Sequence, residues 1–537
     1  MILGGLAAVD AAADRPAIGA IEVVFVLLLA ATALAIIARR IGIPYPILLV
    51  LGGLAVGFVP GLPRIELEPD IVFLLFLPPI LFAAGYFTSL RDLKANLRAI
   101  GLLSIGLVIA TTVAVAAVAQ ALIPGLGWAP AFALGAIVAP PDAVAATAIF
   151  QRLGVPRRVV TILEGESLVN DATALVAFRF ALLAATSGTF SLAEASLSFV
   201  FVAIGGGLLG LAVGIAVARI IARIDDPVFA VVVSFLAPVA CYLPAERLGL
   251  SGVLATVVGG LYLGRNAGWS LSSSARIAGT AAWQVLLFLI NGTVFILIGT
   301  QLPAVLEGLG DRPTIQPLLL AAAICVTVIV VRIVWVFPGT FVPRLLSAKI
   351  RAREPRPPLR NVFLVSWAGM RGVVSLAAAL SLPADFPERD LLIFLAFAVI
   401  LATLVGQGLT LPLVIRGLGI VADDSDEEEE ARVRVIATEA ALRRLDGLAR
   451  EWPGHLELVD NLRAQYEHRS RDIERRTAEG PADEAEREQL EHRIIRSAVI
   501  DAEREAVAEL REAGAVRDEV YRQVERDLDL EELRMES

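Results

Sequence analysis

Glu164-Gly-Glu-Ser-Leu-Val-Asn-Asp171-Ala-Thr173 stands in the middle of an otherwise oily segment running from about Arg158 to Ala185. That segment is long enough to cross a bilayer at ~20 residues per span. It nevertheless carries Glu166, Asn170, Asp171 and Arg179 where a lipid-facing helix would carry Leu or Val. An ionised side chain near the bilayer centre costs roughly 2.5–3.5 kcal/mol on insertion scales, and each Leu, Ile, Val or Phe returns only about 0.3–0.6. Three charges and an amide therefore cancel or exceed what the apolar residues of this span supply. Such a helix is tolerable only with its polar groups turned toward protein or water inside a bundle, and carboxylates within a membrane mark ion or proton pathways.

The whole chain has the same character. Its 537 residues are 57% hydrophobic and only 19% charged, with a mean hydropathy of +0.73. A soluble chain of this length would need more charge to cover its surface, so the composition predicts an all-α polytopic membrane protein. Cys241 and Cys325 form no spacing motif and read as small core residues. The three histidines, His455, His468 and His492, lie beyond the last apolar segment, which excludes a membrane-embedded HExxH zinc protease. The net charge of −9 is dominated by the polar tail and indicates no nucleic-acid partner. Residues 1–16 lack a basic region before their apolar run and do not read as a cleaved signal peptide.

Apolar runs between charged or Pro/Gly-rich breaks predict about thirteen spans. They lie near 17–38, 43–60, 70–88, 99–122, 130–150, 159–185, 192–221, 227–243, 248–264, 279–302, 315–342, 361–382 and 390–416. Alternate loops hold Arg39/Arg40, Arg91/Lys94/Arg98, Arg152/Arg157/Arg158, Arg219/Arg223, Arg265/Arg276 and the cluster from Arg344 to Arg360. The intervening loops hold isolated Arg64, Arg247, Arg312 and Arg389. The positive-inside rule makes the first set cytoplasmic, with the N-terminus outside and the tail inside a multi-pass protein of the plasma (inner) membrane.

Two spans are interrupted. In Gly135-Ala-Ile-Val-Ala-Pro140-Pro141-Asp142-Ala-Val144, two prolines remove two backbone donors and strip the Ala136 and Ile137 carbonyls of helical partners. Free carbonyls at membrane depth survive only inside protein or beside a wet cavity. In Trp367-Ala-Gly369-Met-Arg371-Gly372, two glycines flank a buried Arg. The breaks fall in the fifth and twelfth spans, corresponding positions in two six-span halves, as an inverted-repeat transporter with two crossing broken helices requires. After Ile420 the composition changes to a tail rich in Glu, Arg, Ala and Leu, opening with Asp423-Asp-Ser-Asp-Glu-Glu-Glu-Glu430. Residues 1–420 thus form a transmembrane domain. Residues 421–537 form a helical cytoplasmic tail with helices near 428–452, 456–478 and 482–514, separated at Pro453-Gly454 and Gly480-Pro481. The tail is either a solvated appendage or a regulatory or dimer-supporting domain.

Residues four apart share a helix face, so Ser167 lines up with Asp171 and Glu166 with Asn170. Ser167 and Asp171 offer oxygens to a hard cation such as Na⁺, while Glu166 and Asn170 face the supporting bundle. Burial penalises the charged form of Asp171, so a proton and an alkali ion compete for one anion. Asp142, beside the Pro-Pro break, either ligates the ion or caps the half-helix behind it. Arg332, deep in an apolar run, needs an anion, and Glu166 is the unassigned one, which predicts a structural Glu166–Arg332 pair. Arg371 compensates either a half-helix C-terminus or a site carboxylate. Arg179 reads as a side chain snorkelling near the outer surface, and Glu246 as a structural partner of Arg247.

Gly165-Glu-Ser-Leu-Val-Asn-Asp-Ala172 resembles the signature of monovalent cation/proton antiporters of the sodium/proton exchanger branch. The likeness extends to Leu77-Pro-Pro-Ile-Leu-Phe82, Gly135 to Val144, Leu250-Ser-Gly252, Asn291-Gly-Thr-Val-Phe-Ile-Leu-Ile-Gly299, Gly369-Met-Arg-Gly372 and Gly406-Gln-Gly-Leu-Thr-Leu-Pro412. The resemblance implies Asp171 as the ion- and proton-carrying carboxylate, supported by Asn170 and Ser167, and electroneutral exchange of one cation for one proton. It also implies a structural Glu166–Arg332 pair and a homodimer whose core domain moves against a dimerisation domain. Na⁺, Li⁺ or K⁺ and H⁺ would be transported substrates, with no resident cofactor and no enzymatic activity. Two departures stand out: the family's Thr-Asp-Pro is here Pro141-Asp142-Ala143, and Ala83 and Ala84 occupy a position where relatives often carry an acid. The rivals are a K⁺/H⁺ antiporter, a cation channel with a regulatory tail, and an intramembrane aspartyl protease built on Asp142 and Asp171. The last lacks any Gly-x-Gly-Asp context.

Overall fold

A computed structural model describes residues 16–60, 68–187, 192–310, 315–354, 356–420, 425–477, 482–513 and 515–536. The readings of residues 1–15, of Arg64 and Arg312, and of the Gly480-Pro481 break lie outside these. Among the described residues every regular element is helical. The chain divides into two units, Met1–Ala422 and Asp423–Ser537.

In the first unit the order is α1 (Pro16–Ile41), α2 (Tyr45–Gly57), α3 (Pro69–Phe87), α4 (Leu97–Leu122), α5 (Trp128–Val138), α6 (Val144–Leu153) and α7 (Arg157–Ser187). There follow α8 (Leu192–Ile221), α9 (Pro227–Arg247), α10 (Gly252–Ser270), α11 (Ser273–Gly308) and α12 (Ile315–Leu346). The unit closes with the short α13 (Ala348–Arg353), then α14 (Leu359–Trp367), α15 (Val373–Leu380) and α16 (Arg389–Gly417). Each of the thirteen apolar stretches is helical. Among the described residues eight helices are both long and apolar enough to cross a membrane, namely α3, α4, α7, α8, α9, α11, α12 and α16. The fifth and twelfth stretches fall short because their breaks divide each into two half-helices, α5/α6 and α14/α15.

Helix α7 lies between two groups. On one side a large apolar core joins residues of α2, α4, α5, α11, α12, α14, α15 and α16. On the other, Leu168 and Ala172 pack with Leu77 and Leu81 of α3, Tyr242 of α9, and Val253 and Val257 of α10. A third cluster, including Phe82, Ala83, Cys241 and Trp283, ties α3 to α8–α11. Close approach depends on glycine, since a Cβ at Gly210 would sit 2.0 Å from the Ala255 carbonyl oxygen and one at Gly135 2.3 Å from that of Thr112. Small residues at helix crossings are how membrane bundles gain packing without a hydrophobic driving force.

The basic loops converge in space. Arg98 and Arg344 share Glu354 at 2.5 and 2.9 Å, Arg157 meets Asp92 at 3.1 Å, and Arg158 donates to Asn96. Arg152 lies against Gly42, whose φ of +79° sets the turn after α1.

In the second unit α17 (Ser425–Glu451), α18 (Leu456–Thr477), α19 (Ala482–Glu512) and α20 (Asp518–Glu536) form a polar helical domain. Among its described residues, the buried apolar ones are Leu445, Val459, Ile500 and Leu528. Helix α20 lies beyond the helices the sequence predicts, although Val520, Val524 and Leu528 recur four apart in it.

Candidate functional site

The two helix breaks meet: the Asp142 backbone N–H donates to the Met370 carbonyl at 2.7 Å. Four helix ends therefore come together, two of each polarity, and the charges around them follow that polarity. At the C-terminal end of α5, Arg371 Nε donates to the Val138 carbonyl at 3.0 Å, and Nη2 reaches that of Ala139 at 3.5 Å. At the C-terminal end of α14, Arg332 donates to the Val365 carbonyl from Nη2 and Nε, at 3.1 and 3.3 Å. At the N-terminal end of α6, Asp142 Oδ1 accepts from the Val144 N–H at 2.9 Å. Its Oδ2 faces the start of α15, where a Cβ on Gly372 would lie 1.9 Å away. Cations at negative helix ends and an anion at positive ones are what the macrodipole favours. Of the two roles open for Arg371, the geometry shows the half-helix C-terminus. For Asp142 it shows the cap, with the second oxygen left over.

Helix α7 brings four polar residues to this crossing. Glu166 and Arg332, both sealed from solvent, form a bidentate pair at 2.6 and 2.8 Å. Asn170 Nδ2 donates to the Pro141 carbonyl at 2.7 Å, which pins the unwound strand to α7. Asp171 is different. It is 8% exposed, has no hydrogen bond or ion pair to any described residue, and feels the Asp142 carboxylate electrostatically. Ser167 lies one turn before it, half-buried.

Some placements depart from the sequence reading. Glu246 pairs with Arg179 at 2.7 Å and accepts from the Gly252 N–H at 3.2 Å; Arg247 is exposed. Neighbours one residue apart on a helix point in different directions, so Glu246 reaches across to α7 rather than along its own helix. Pro140 and Pro141 offer no N–H to the Ala136 and Ile137 carbonyls, and Arg371 takes those of the next two residues, Val138 and Ala139. Two residues went unnoticed. Thr403 Oγ1 accepts from the Arg371 N–H at 3.1 Å, from within a π-bulge spanning Ala402–Gln407. Tyr45 lies within electrostatic reach of Asp142. Thr403 also donates to its own helix at Val399, the ordinary habit of Thr in apolar helices, so nothing in the sequence separates it from a bland residue.

The glycines of the second break are space-limited. A Cβ on Gly369 would come within 2.5 Å of Arg332 Cδ and 3.0 Å of Arg371 Nη1. Gly372→Ala would displace the Asp142 carboxylate, since that side chain is short and tied at Val144. The expected result is a loss of exchange of about tenfold or more, by analogy with the ~10²-fold cost of a 1 Å misplacement at a reacting centre. Vesicle transport at matched protein levels measures it, and wild-type rates would show that Asp142 tolerates the shift.

A helical membrane bundle with an unpaired carboxylate beside two crossed, charge-balanced helix breaks defines a secondary transporter for small cations, not an enzyme. A family model described as "Sodium/hydrogen exchanger, transmembrane" matches residues 25–417, and the chain belongs to that family of cation/proton antiporters. It is 36% identical over 525 residues to an uncharacterized Na(+)/H(+) exchanger of Mycobacterium tuberculosis, covering 96% of each chain. It is 34% identical to a sodium, potassium, lithium and rubidium/H(+) antiporter of Bacillus subtilis, over 89% of this chain and 72% of that one. The structure of the sodium proton antiporter MjNhaP1 from Methanocaldococcus jannaschii matches with a TM-score of 0.58 at 21% identity, over 74% of this chain and 98% of that one.

Proposed function

We propose that the protein exchanges cytoplasmic Na⁺, or Li⁺ or K⁺, for outside H⁺ by alternating access around Asp171. The observation that carries this is the isolation of Asp171: the neighbouring buried charges Glu166, Arg332 and Arg371 are matched to a partner or a helix end, and Asp171 is not. An unpaired carboxylate away from lipid is neutralised by a proton or by an alkali ion. Asp142 Oδ2 and Ser167 are the next oxygens offered to that ion, and Asn170 holds the break in place. Since Asp142 stays engaged as a helix cap, one titrating group works per cycle, which makes the exchange one cation for one proton and electroneutral.

The packing of α7 between two helix groups, with the crossing in one and the Leu168/Ala172 face on the other, supports the alternating-access reading. The inverted six-span halves and the homodimer rest on the family likeness. Convergence of Arg98, Arg158 and Arg344 supports one cytoplasmic side for their loops, with the N-terminus outside and the tail inside. The tail serves regulation or dimer support. The Bacillus relative is named for four alkali ions, and this chain offers no threonine hydroxyl beside Asp142; both favour broad cation choice.

Reconstitution into liposomes with an internal pH dye tests the proposal, with Na⁺, Li⁺ and K⁺ added in turn. Proton efflux driven by an inward cation gradient, unchanged when valinomycin and K⁺ clamp the potential, is expected. Currents far exceeding the proton flux and indifferent to a pH gradient would identify a channel instead.

A further inference from the structure

At the basic end of the bundle, α4, α7, α12 and α14 line a cavity of about 80 Å³. That is more than the ~30 Å³ share of one water molecule. One wall is apolar, including Leu102, Ile162, Trp335 and Val336; the other carries Arg98, Arg158 and Arg344. The Trp335 indole is fixed by a 2.9 Å hydrogen bond to the Leu102 carbonyl, exposed there by a π-bulge at Leu102–Leu107.

Three guanidiniums face one carboxylate, Glu354, which leaves an excess of two positive charges. Glu354 is held below the usual carboxylate range chiefly by its hydrogen bond from Arg98, so it is ionised at neutral pH and already fully engaged. Its two oxygens are spent on Arg98 Nε and Nη2 and on Arg344 Nη2. Arg98 Nη1 and Arg344 Nε remain buried donors without a partner. Arg344 as a whole is 4% exposed, and a buried guanidinium N–H left unpaired is costly. The neighbouring Asn361 has an unpartnered buried amide oxygen, suited to a hydroxyl donor on the same ligand. Unmatched donors of one sign, in a pocket whose opposite wall is apolar, fit an anion attached to something oily or flat better than bulk water.

We propose that this cavity binds a phosphate-bearing anion, held by Arg98, Arg344 and Arg158 at the ends of three helices. Arginine forks match phosphate oxygens in geometry as well as charge, and basic pockets between membrane helices are a known form of lipid-headgroup site. The same chemistry is presented by an anionic lipid headgroup or by a soluble phosphate compound. Neither Asp171 nor Asp142 lines the cavity, so the site does not rest on the transport reading.

The test is the thermal stability of the purified full-length protein in neutral detergent, since a ligand that prefers the folded state raises its melting temperature. Short-chain phosphatidylglycerol, short-chain phosphatidylcholine, inorganic phosphate and sodium chloride at equal ionic strength are titrated separately. Two variants accompany the wild type. Arg344→Gln removes a donor. Gly339→Leu fills the cavity: Gly339 lines it, and an added Cβ there meets no atom within 4 Å, so this variant keeps the arginine network. Saturable stabilisation by phosphatidylglycerol or phosphate is expected, with the half-point raised at least about tenfold in both variants: Arg344→Gln loses charge-assisted hydrogen bonds, and Gly339→Leu loses the space the ligand occupies. A response to phosphatidylglycerol alone assigns a lipid; an equal response to inorganic phosphate assigns a soluble ligand. No stabilisation beyond that of sodium chloride, or a response undiminished in Gly339→Leu, overturns the proposal. If Arg344→Gln does not fold, Gly339→Leu decides alone.

Discussion

Asp171→Asn is expected to reduce cation-driven proton exchange to the level of empty membranes without lowering the stability of the protein. The amide keeps the size of the side chain but binds no proton and carries no charge for an alkali ion. In everted vesicles loaded with a pH dye, adding Na⁺, Li⁺ or K⁺ should produce no dequenching. Stability should hold or rise, because Asp171 has no hydrogen-bond or ion-pair partner among the described residues and its charge is partly desolvated. That combination separates a carrier from a structural acid, whose removal leaves a partner stranded. Exchange undiminished in Asp171→Asn would refute the carrier role, whatever the fate of the fold.

The opposite pattern is expected at Glu166. Glu166→Gln leaves Arg332 buried without its counter-ion, a change that costs about 3–5 kcal/mol in comparable buried pairs. The Arg371 guanidinium sits just across Gly369 from Arg332, so losing the carboxylate also leaves two cations facing each other. Arg332→Gln strands Glu166 and releases the Val365 carbonyl besides. Because a pair removed together is far less costly than half of it, Glu166→Gln/Arg332→Gln should be more stable than Glu166→Gln alone. A coupling energy of roughly 0.5–3 kcal/mol is typical of residues in contact. Melting of the four proteins in one detergent measures the cycle, and simple additivity would deny the contact.

These two acids lie five residues apart on α7, and the sequence distinguishes them only partly. The spacing of Ser167 with Asp171 and of Glu166 with Asn170 separates two stripes, because a helical turn is local and its period is known. The stripes alone do not say which one is paired, but the need of the deep Arg332 for an anion points to Glu166, and the structure has that pair. The fold adds the placement of Arg332 of α12 against Glu166, and of the unwound Pro141 against Asn170. The breaks are visible from residue type alone, since Pro140-Pro141 cannot continue a helix. The bond from Val144 to Asp142 is local and matches the cap the sequence offered, whereas which carbonyls Arg371 takes is decided by two segments more than two hundred residues apart in the chain. Thr403 escaped notice for the same reason, since its second partner is the distant Arg371.

By itself the sequence determined that this is a bundle of membrane helices with a tail of different composition, which two apolar stretches are broken, and which one holds the carboxylates. Each of these follows from short-range properties, apolar length and the conformational limits of proline and glycine. The sequence also named one ion pair, Glu166 with Arg332, and only the tertiary structure decided the other partners of the charges: Arg371 with a helix end, Arg179 with Glu246, and Asp171 with none among the described residues. Burial makes every buried charge require a counterpart but leaves open which one it finds, and packing between distant helices makes that choice.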